Sequence, residues 1–320
     1  MSEKVFFDIR PQLNKNLVGQ ILRQLFPDFG EDFDWQLLQG GWENANLIIN
    51  KEGEKFILRI YRFGKRKQSD IEKELTVTNF FYQKGLPTTK IILLNGSLFK
   101  KINILGKNHI VAVFSFLNGK NLAPEEVDET RIKQIAGLLS KIHLSGKDYP
   151  PEHLPQATNL FLSRAEELKN LFTKSSPDRQ LSEFLRIVLD KFKIILTSQQ
   201  DNTVLHNDYS RGNIFFNHGE IAGVLDWQEA IYGPAIWDIG KSISYFVVDG
   251  NLTLETVLKN YLNGYFNYLP DNQQDYLIAT AYFCYDMAGK VIETYPKNEL
   301  KTDKRFLKII KFIKEICVIF

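Results

Sequence analysis

Cysteine is nearly absent from these 320 residues: only Cys284 and Cys317 occur. Two thiols cannot build the disulfide framework of a small secreted domain, so they read as buried free thiols in a reducing compartment. Net charge is equally scarce, +2 at pH 7, which leaves no long-range field to draw in nucleic acid or an acidic membrane. No apolar run reaches the roughly 18 residues that would span a bilayer. The opening "MSEKVFFDIRPQLNK" also lacks the apolar stretch of a secretory signal. A cytoplasmic location is therefore expected. Internal repeats, low-complexity tracts, a metal-binding histidine cluster and a G-x-S-x-G nucleophile elbow are all missing. The "GKS" at residues 240 to 242 looks like the end of a P-loop. That motif needs a glycine five positions before Gly240, however, and Ala235 stands there.

Apolar residues are plentiful, at 44%, and a chain of this length buries roughly 75% of its surface on folding. It is slightly longer than one core usually extends, so two lobes are expected. Charge is uneven along the chain. Residues 1–115 hold 17 Lys and Arg against 12 Asp and Glu, residues 116–296 hold 16 against 23, and the last 24 residues hold 7 against 3. A basic first third suits a polyanion, and an acidic middle suits a neutral or cationic partner.

The patterns divide in the same place. "NLVGQILRQLF" has helical spacing, and "WQLLQGGWENANLIINKEGEKFILRIYR" alternates like a hairpin with Gly53 at the tip of its turn. "KQSDIEKELTVTNFFYQKG" reads as a helix, with Ser69 and Asp70 as cap candidates and Gly85 as its stop. Strands follow around "SLFKKINIL" and "HIVAVFSFL". Beyond "NGKNLAPEE" the periodicity is helical to the end, with one embedded hairpin. This predicts an α+β architecture: a strand-rich N-terminal lobe over 1–115 and a mainly helical C-terminal lobe over 116–320.

The hairpin carries the chemistry. In "VLHNDYSRGNIFFNHGEIAGVLDW", residues 204 to 227, the strands "NIFF" and "IAGVL" flank the turn "NHGE". Asn213 opens the first strand and Asp226 follows the second. Antiparallel neighbours lie about 4.8 Å apart, so the two side chains are expected to converge. A carboxylate and a carboxamide make an oxygen-only site that suits Mg²⁺, which completes its shell with water and phosphate oxygens. Asp208 lies five residues before Asn213, on a loop, where it can take a proton from a hydroxyl. Base, first metal ligand and second metal ligand in this order are the parts of a kinase catalytic apparatus.

"LHNDYSRGNIFF" followed by "GVLDWQEAIYGPAIWDIG" resembles the aminoglycoside phosphotransferase and choline kinase superfamily, small-molecule kinases with a two-lobed protein-kinase-like fold. The resemblance runs from about residue 35 to near the C-terminus. It implies Asp208 as catalytic base, Asn213 and Asp226 as Mg²⁺ ligands, and His206 and Asp238 as braces of the catalytic loop. In "LQGGWENANLII" it implies a nucleotide-covering turn with Gly40, Gly41 and Asn44. In "KFILRIYR" it implies Arg59 facing the α- and β-phosphates of ATP, with Glu74 as its helical partner. Around "VFSFLNG", backbone groups of Ser115 and Leu117 are implied to read the adenine. Arginine at position 59 resembles the choline kinase branch, whereas "GWENANLII", "KIHLSGKDY" and "NIFFNHGEIAGVLDW" resemble the bacterial homoserine kinase branch.

Two departures stand out. Trp227 follows Asp226 where protein kinases have Phe-Gly, and no Ala-Pro-Glu motif comes after it, which argues against a protein kinase with a regulated activation segment. Gln228 occupies a position that is acidic in many family members. His143 reads as a packed helix residue. The C-terminal stripe Phe306, Ile309, Ile310, Ile313, Ile316 and Cys317 reads as a helix packing on the C-terminal lobe rather than on a membrane surface. The expected reaction is phosphoryl transfer from ATP to a hydroxyl of a small cationic or zwitterionic acceptor, of aminoglycoside, choline or homoserine type. A non-catalytic nucleotide-binding protein acting through a partner is the alternative. Nothing in the sequence sets an oligomeric state.

Overall fold

The computed structural model describes residues 7–38, 44–175, 179–198, 201–270, 272–295, 297–300 and 302–319. Contacts gather the chain into two units, Met1–Asn118 with Ala222–Gln228, and Gly119–Ile221 with Glu229–Phe320.

The first unit opens with α1 (Lys15–Leu25), whose N-terminus is capped by the Asn14 side chain accepting the Leu17 N–H at 3.0 Å. The strands β1 (Asp34–Leu37), β2 (Ala45–Lys51) and β3 (Glu54–Ile60) follow. Glu52 and Gly53 connect the last two with φ of 54° and 87°, the left-handed pair that a two-residue hairpin turn requires. Next come α2 (Gln68–Gln83), β4 (Ile91–Ile92), β5 (Lys100–Ile104) and β6 (Lys107–Ser115). The sheet runs β1-β2-β3-β6-β4, with β5 also paired to β6. Side chains alternate across it. Leu47, Ile49, Leu58, Ile60, Val111 and Val113 pack with α1 on one face, and Ala112 and Phe114 pack with Ile71 and Leu75 of α2 on the other. Arg59 lies between Leu58 and Ile60 and so faces α2.

The start of α2 corrects the sequence expectation. Ser69 and Asp70 are not caps but lie in its first turn. Lys67 is the boundary residue and makes no side-chain cap bond. The helix begins early because the N–H groups of Asp70 and Ile71 both reach the Lys67 carbonyl, at 3.2 and 3.3 Å.

The second unit contains β7 (Lys120–Asn121), α3 (Glu129–Gly146), α4 (Ala157–Ser175), α5 (Arg179–Ser198), β8 (Asn202–Leu205) and β9 (Ile214–Asn217). After β10 (Glu220–Val224) it resumes with β11 (Ile231–Pro234), α6 (Ile236–Asp249), α7 (Leu254–Phe266), α8 (Gln274–Thr294), α9 (Lys297–Leu300) and α10 (Lys304–Ile319). Two small sheets, β10-β9-β7 and β11-β8, are embedded among these helices. The terminal stripe behaves as a packed face: α10 buries Ile309, Ile313 and Ile316 and packs on α8 and α6. Among the described residues no helix is long and apolar enough to cross a membrane.

Glycines allow two close helix crossings. A Cβ at Gly240 of α6 would sit 2.4 Å from the Ala279 Cβ of α8, and one at Gly264 of α7 would sit 2.5 Å from the Lys133 carbonyl oxygen of α3. Gly264→Ala is therefore expected to force α3 and α7 apart. The expected cost is about 1–3 kcal/mol and a fall of several degrees in melting temperature. Gly30→Ala, where the nearest atom is the Lys51 Nζ at 3.9 Å, should leave the melting temperature unchanged.

Candidate active site

One face of α6 holds the loop that follows β8. Asp238, Lys241, Ser242 and Tyr245 recur at i, i+3, i+4 and i+7, the spacing of a single helical stripe. Each one bonds a residue between 206 and 209. The Asp238 carboxylate accepts the backbone N–H of His206 at 2.6 Å and that of Asn207 at 2.8 Å. Lys241 Nζ donates to the Asn207 carbonyl and side-chain oxygens, at 2.5 and 2.9 Å. Ser242 Oγ donates to the Tyr209 carbonyl at 2.9 Å. Tyr245 donates its hydroxyl to Asp208 Oδ1 at 3.0 Å.

The clamp holds Asn207 at a φ of 59°, a left-handed conformation that is uncommon outside glycine but that asparagine adopts more readily than most residues. Its side chain is tied further by the indole N–H of Trp237 at 2.8 Å and by its own bond to the Glu229 carbonyl at 3.1 Å. Burial would raise the Asp238 carboxyl, but the hydrogen bond and charge of His143, with His206 and the Asn207 N–H, hold it below its usual 3.8. Burial lowers the Lys241 ammonium, with nearby Lys290 adding to the effect.

The loop presents Asp208 between two donors. Asn213 Nδ2 donates to Asp208 Oδ2 at 2.7 Å and to the Asp208 carbonyl at 2.9 Å, while Tyr245 holds Oδ1. Burial, then the Asp208 charge, pushes the Tyr245 hydroxyl well above its ordinary range, so it stays protonated and remains a donor. His206 Nδ1 accepts the Asp208 N–H at 3.2 Å, which places its ring proton on Nε2. With Nδ2 turned to Asp208, the carbonyl Oδ1 of Asn213 is the atom left for a cation.

The first unit carries a second polar cluster. Arg59 Nη1 donates to Glu74 Oε1 at 2.6 Å, and its Nε donates to Asn46 Oδ1 at 2.8 Å. The guanidinium lies over the Phe114 ring, 4.9 Å from its centroid. Glu74 is 2% exposed and also accepts from Arg66 and from the Tyr61 hydroxyl at 3.1 Å. Burial pulls the Arg59 pKa down, but Glu74, Tyr61 and Asp226 outweigh it and hold the group above the ordinary arginine value. Asp226 belongs to this unit with φ 65°. Its segment is fastened by the Val224 N–H to the Pro87 carbonyl at 2.9 Å, and by Trp227 stacked on Phe81 with centroids 4.3 Å apart. Trp227 thus fills its departure position as a packed ring, and Gln228 accepts from Arg66 at 3.4 Å.

The structure brings some of the residues expected at the site together. Asp208 with Asn213, and Arg59 with Glu74, form bonded pairs; Asp226 lies in the first unit and Asn213 in the second. Gly40 and Gly41 lie outside the described residues. Asn44 Oδ1 accepts the Arg62 N–H at 3.3 Å. The Ser115 N–H is already donated to the Lys90 carbonyl at 2.8 Å, so that group is committed within the first unit. Leu117 packs where a Cβ on Gly223 would come within 2.8 Å of its Cδ2. Missed were Asn207, Lys241, Ser242 and Tyr245. His143 is packed as expected but also bonds Asp238 through Nε2 at 3.2 Å and the Tyr265 hydroxyl through Nδ1 at 2.7 Å.

Two cavities flank this loop within the second unit. The larger, about 390 Å³, is lined by Asn207, Lys241, Arg164, Asp286, Lys290 and Glu293 among others. The smaller, about 220 Å³, is lined by Ser210, Arg211, Gly212, Tyr245, Phe246 and Asp249 among others.

Known proteins share this plan. The chain belongs to the Phosphotransferase enzyme family, whose pattern matches residues 34–274. Homoserine kinase of Caulobacter vibrioides is 24% identical over 244 residues, 74% of either chain. Among solved structures, amicoumacin kinase in complex with AMP-PNP, Ca²⁺ and Ami superposes with a TM-score of 0.67 at 18% identity, covering 97% of this chain and 95% of that one. Choline kinase from Cryptosporidium parvum superposes with a TM-score of 0.61 at 15% identity, covering 95% and 96%. The fold is thus the α+β, protein-kinase-like one of these kinases, strand-rich at its N-terminal end and helical at its C-terminal end.

Asp238→Asn leaves one carboxamide oxygen where two carboxylate oxygens accept, so a buried N–H loses its acceptor, at a cost of about 1–3 kcal/mol. Because the Asp238 carboxyl is held below 3.8, its stabilising contribution is complete above the unfolded value and disappears as pH falls through the folded one. Urea midpoints of the parent and Asp238→Asn should differ fully above about pH 5 and converge below 3.8. A constant gap across that range would contradict this account.

Proposed function

We propose that this phosphotransferase moves the γ-phosphoryl group of ATP to a hydroxyl of a small cationic or zwitterionic molecule. The observation that carries the reading is the Asp208 carboxylate, held on one oxygen by Asn213 and on the other by Tyr245, on a loop clamped by α6. Such a group orients an acceptor hydroxyl and takes its proton as the acceptor oxygen attacks the γ-phosphorus in line and ADP leaves. Residues 1–115 would serve the nucleotide and residues 116–320 the acceptor.

Arg59 supports the nucleotide half of this reading. Its Nε and Nη1 are engaged by Asn46 and Glu74, which aligns the guanidinium so that Nη2 can meet a phosphate oxygen. Leu117 would lie at the adenine, and Gly40, Gly41 and Asn44 over the phosphates. With its N–H given to Lys90, Ser115 could offer the adenine only its carbonyl. His206 and Asp238 would act through the loop rather than on substrate.

The donor chemistry fits a hard divalent cation. Among the described residues no group of three or more His, Cys, Asp or Glu has metal-binding geometry. Mg²⁺ needs only one or two protein oxygens when phosphates and water complete its shell. Asn213 Oδ1 and the Asp226 carboxylate would hold it, and it would neutralise charge on the transferring phosphates. The homoserine kinases among the relatives make homoserine the first acceptor to try.

ADP release with Mg²⁺-ATP, measured against homoserine, choline, ethanolamine, aminoglycosides and simple sugars, tests the proposal. One acceptor should stimulate release, and Asp208→Asn should lower the stimulated rate by about 10²–10⁴. A variant that retains the rate within about tenfold would contradict the base role. Clear ATP binding with no transfer to any acceptor would favour a non-catalytic nucleotide-binding protein.

A further inference from the structure

We infer that the smaller cavity of the second unit receives an acid group of the acceptor, with Arg211 as its anchor. The inference rests on the reading of Asp208 as base, and it narrows the acceptor to a hydroxyl compound that carries a carboxylate.

The cavity adjoins the base. Tyr245 lines it and its hydroxyl lies 3.0 Å from Asp208 Oδ1, so a hydroxyl displacing that of Tyr245 would meet the same oxygen. Arg211 stands three residues beyond Asp208, which keeps their Cα atoms within about 11 Å. One small molecule can therefore reach both. The volume, about 220 Å³, equals about seven liquid waters at roughly 30 Å³ each. That suits a few-carbon acceptor and is too small for a multi-ring sugar.

The charge in the cavity is unbalanced in one direction. Arg211 Nη1 donates to the Leu122 carbonyl, but its Nε is buried without a hydrogen-bond partner. Among the described residues no carboxylate lies within ion-pair distance of Arg211. The acid that lines the cavity, Asp249, is paired with Arg305 of α10 at 3.1 Å. Lys308 of α10 donates to the Gly250 carbonyl, also in the wall. The basic C-terminal helix thus brings two cations to the cavity wall. An anion bound in the cavity would give this guanidinium a charge partner.

The larger cavity lacks this imbalance. There Arg164 bonds Asp286 at 2.7 Å and both Glu167 and Glu293 at 2.8 Å, and Lys290 bonds Asp286 at 2.8 Å. Its cations are satisfied from within.

Matched acceptors that differ only in the carboxylate test the inference: homoserine against 3-aminopropanol, serine against ethanolamine, and 4-hydroxybutyrate against propanol. With Mg²⁺-ATP and the intact protein, at least one carboxylate-bearing member should drive ADP release. Its counterpart should be about 10–100-fold poorer in kcat/KM, as expected for loss of a charge-assisted pair. Arg211→Met should raise the KM for the carboxylate acceptor by a similar factor, abolish the discrimination within the pair and leave the KM for ATP unchanged. Arg211→Lys should recover part of the loss. Should Arg211→Met fail to fold, the matched pairs on the parent protein decide alone.

Carboxylate-free members that work equally well, or a panel in which no carboxylate-bearing member works, would overturn the inference. A rise in KM for ATP in Arg211→Met would also overturn it, because the guanidinium would then serve a nucleotide phosphate. Asp208→Asn separates the two levels. Transfer surviving in that variant defeats the base reading, whereas transfer lost there but without carboxylate preference defeats only the anchor.

Discussion

A fully buried carboxylate accepting two consecutive backbone N–H groups is the constraint on which the second unit's chemistry depends. The N–H groups of His206 and Asn207 both take Asp238 as their acceptor, and His143 favours the ionised form of that carboxylate. With those two amides fixed, Asn207 can hold its left-handed backbone, and the carboxylate of the next residue takes one direction only. The three other polar positions of the same α6 stripe finish the task from successive turns. A helix is a good choice for this work, because its side-chain spacing is set by its own backbone hydrogen bonds and does not drift.

The first unit solves a related problem with charge. Glu74 sits under two guanidinium groups and a phenol, and Asp226 adds a second negative charge that acts on Arg59. A buried ion pair adds little stability by itself, but this one sets the aim of a cation. Phe114 beneath and Asn46 beside it remove the remaining freedom of the guanidinium. The stacked Trp227 ties the Asp226 segment to α2, the helix that carries Glu74, so carboxylate and ion pair share one rigid support.

Much of this was legible in the residues. The alternation of β2 and β3 around Glu52-Gly53, the helical stripes and the bonded pair of Asp208 and Asn213 all depend on local rules that a sequence displays. The α6 stripe was less visible because two of its members sat inside "GKS", which the eye reads as a failed phosphate loop. In fact Gly240 makes room for Ala279, Lys241 holds Asn207 and Ser242 holds Tyr209. Polar residues at i, i+3, i+4 and i+7 on an otherwise apolar helix were the available signal. The commitment of the Ser115 N–H to Lys90 had no such signal, since it depends on a long-range approach of two segments. The α2 cap was misjudged because a backbone carbonyl did the work that a side chain was expected to do.

The chain leaves the second unit at residue 222 and returns to it at residue 229, and this has a consequence for how the protein is made. The first unit receives its last piece, with Val224 bonded to Pro87 and Trp227 stacked on Phe81, only once residue 228 has been synthesised. At about 5–20 residues per second, the 110 residues between 118 and 228 take roughly 5–20 s. During that interval the nascent sheet and α2 exist without the ring that covers Phe81. The N-terminal part of this protein cannot be finished first and set aside. Its completion waits for the short segment that carries Asp226.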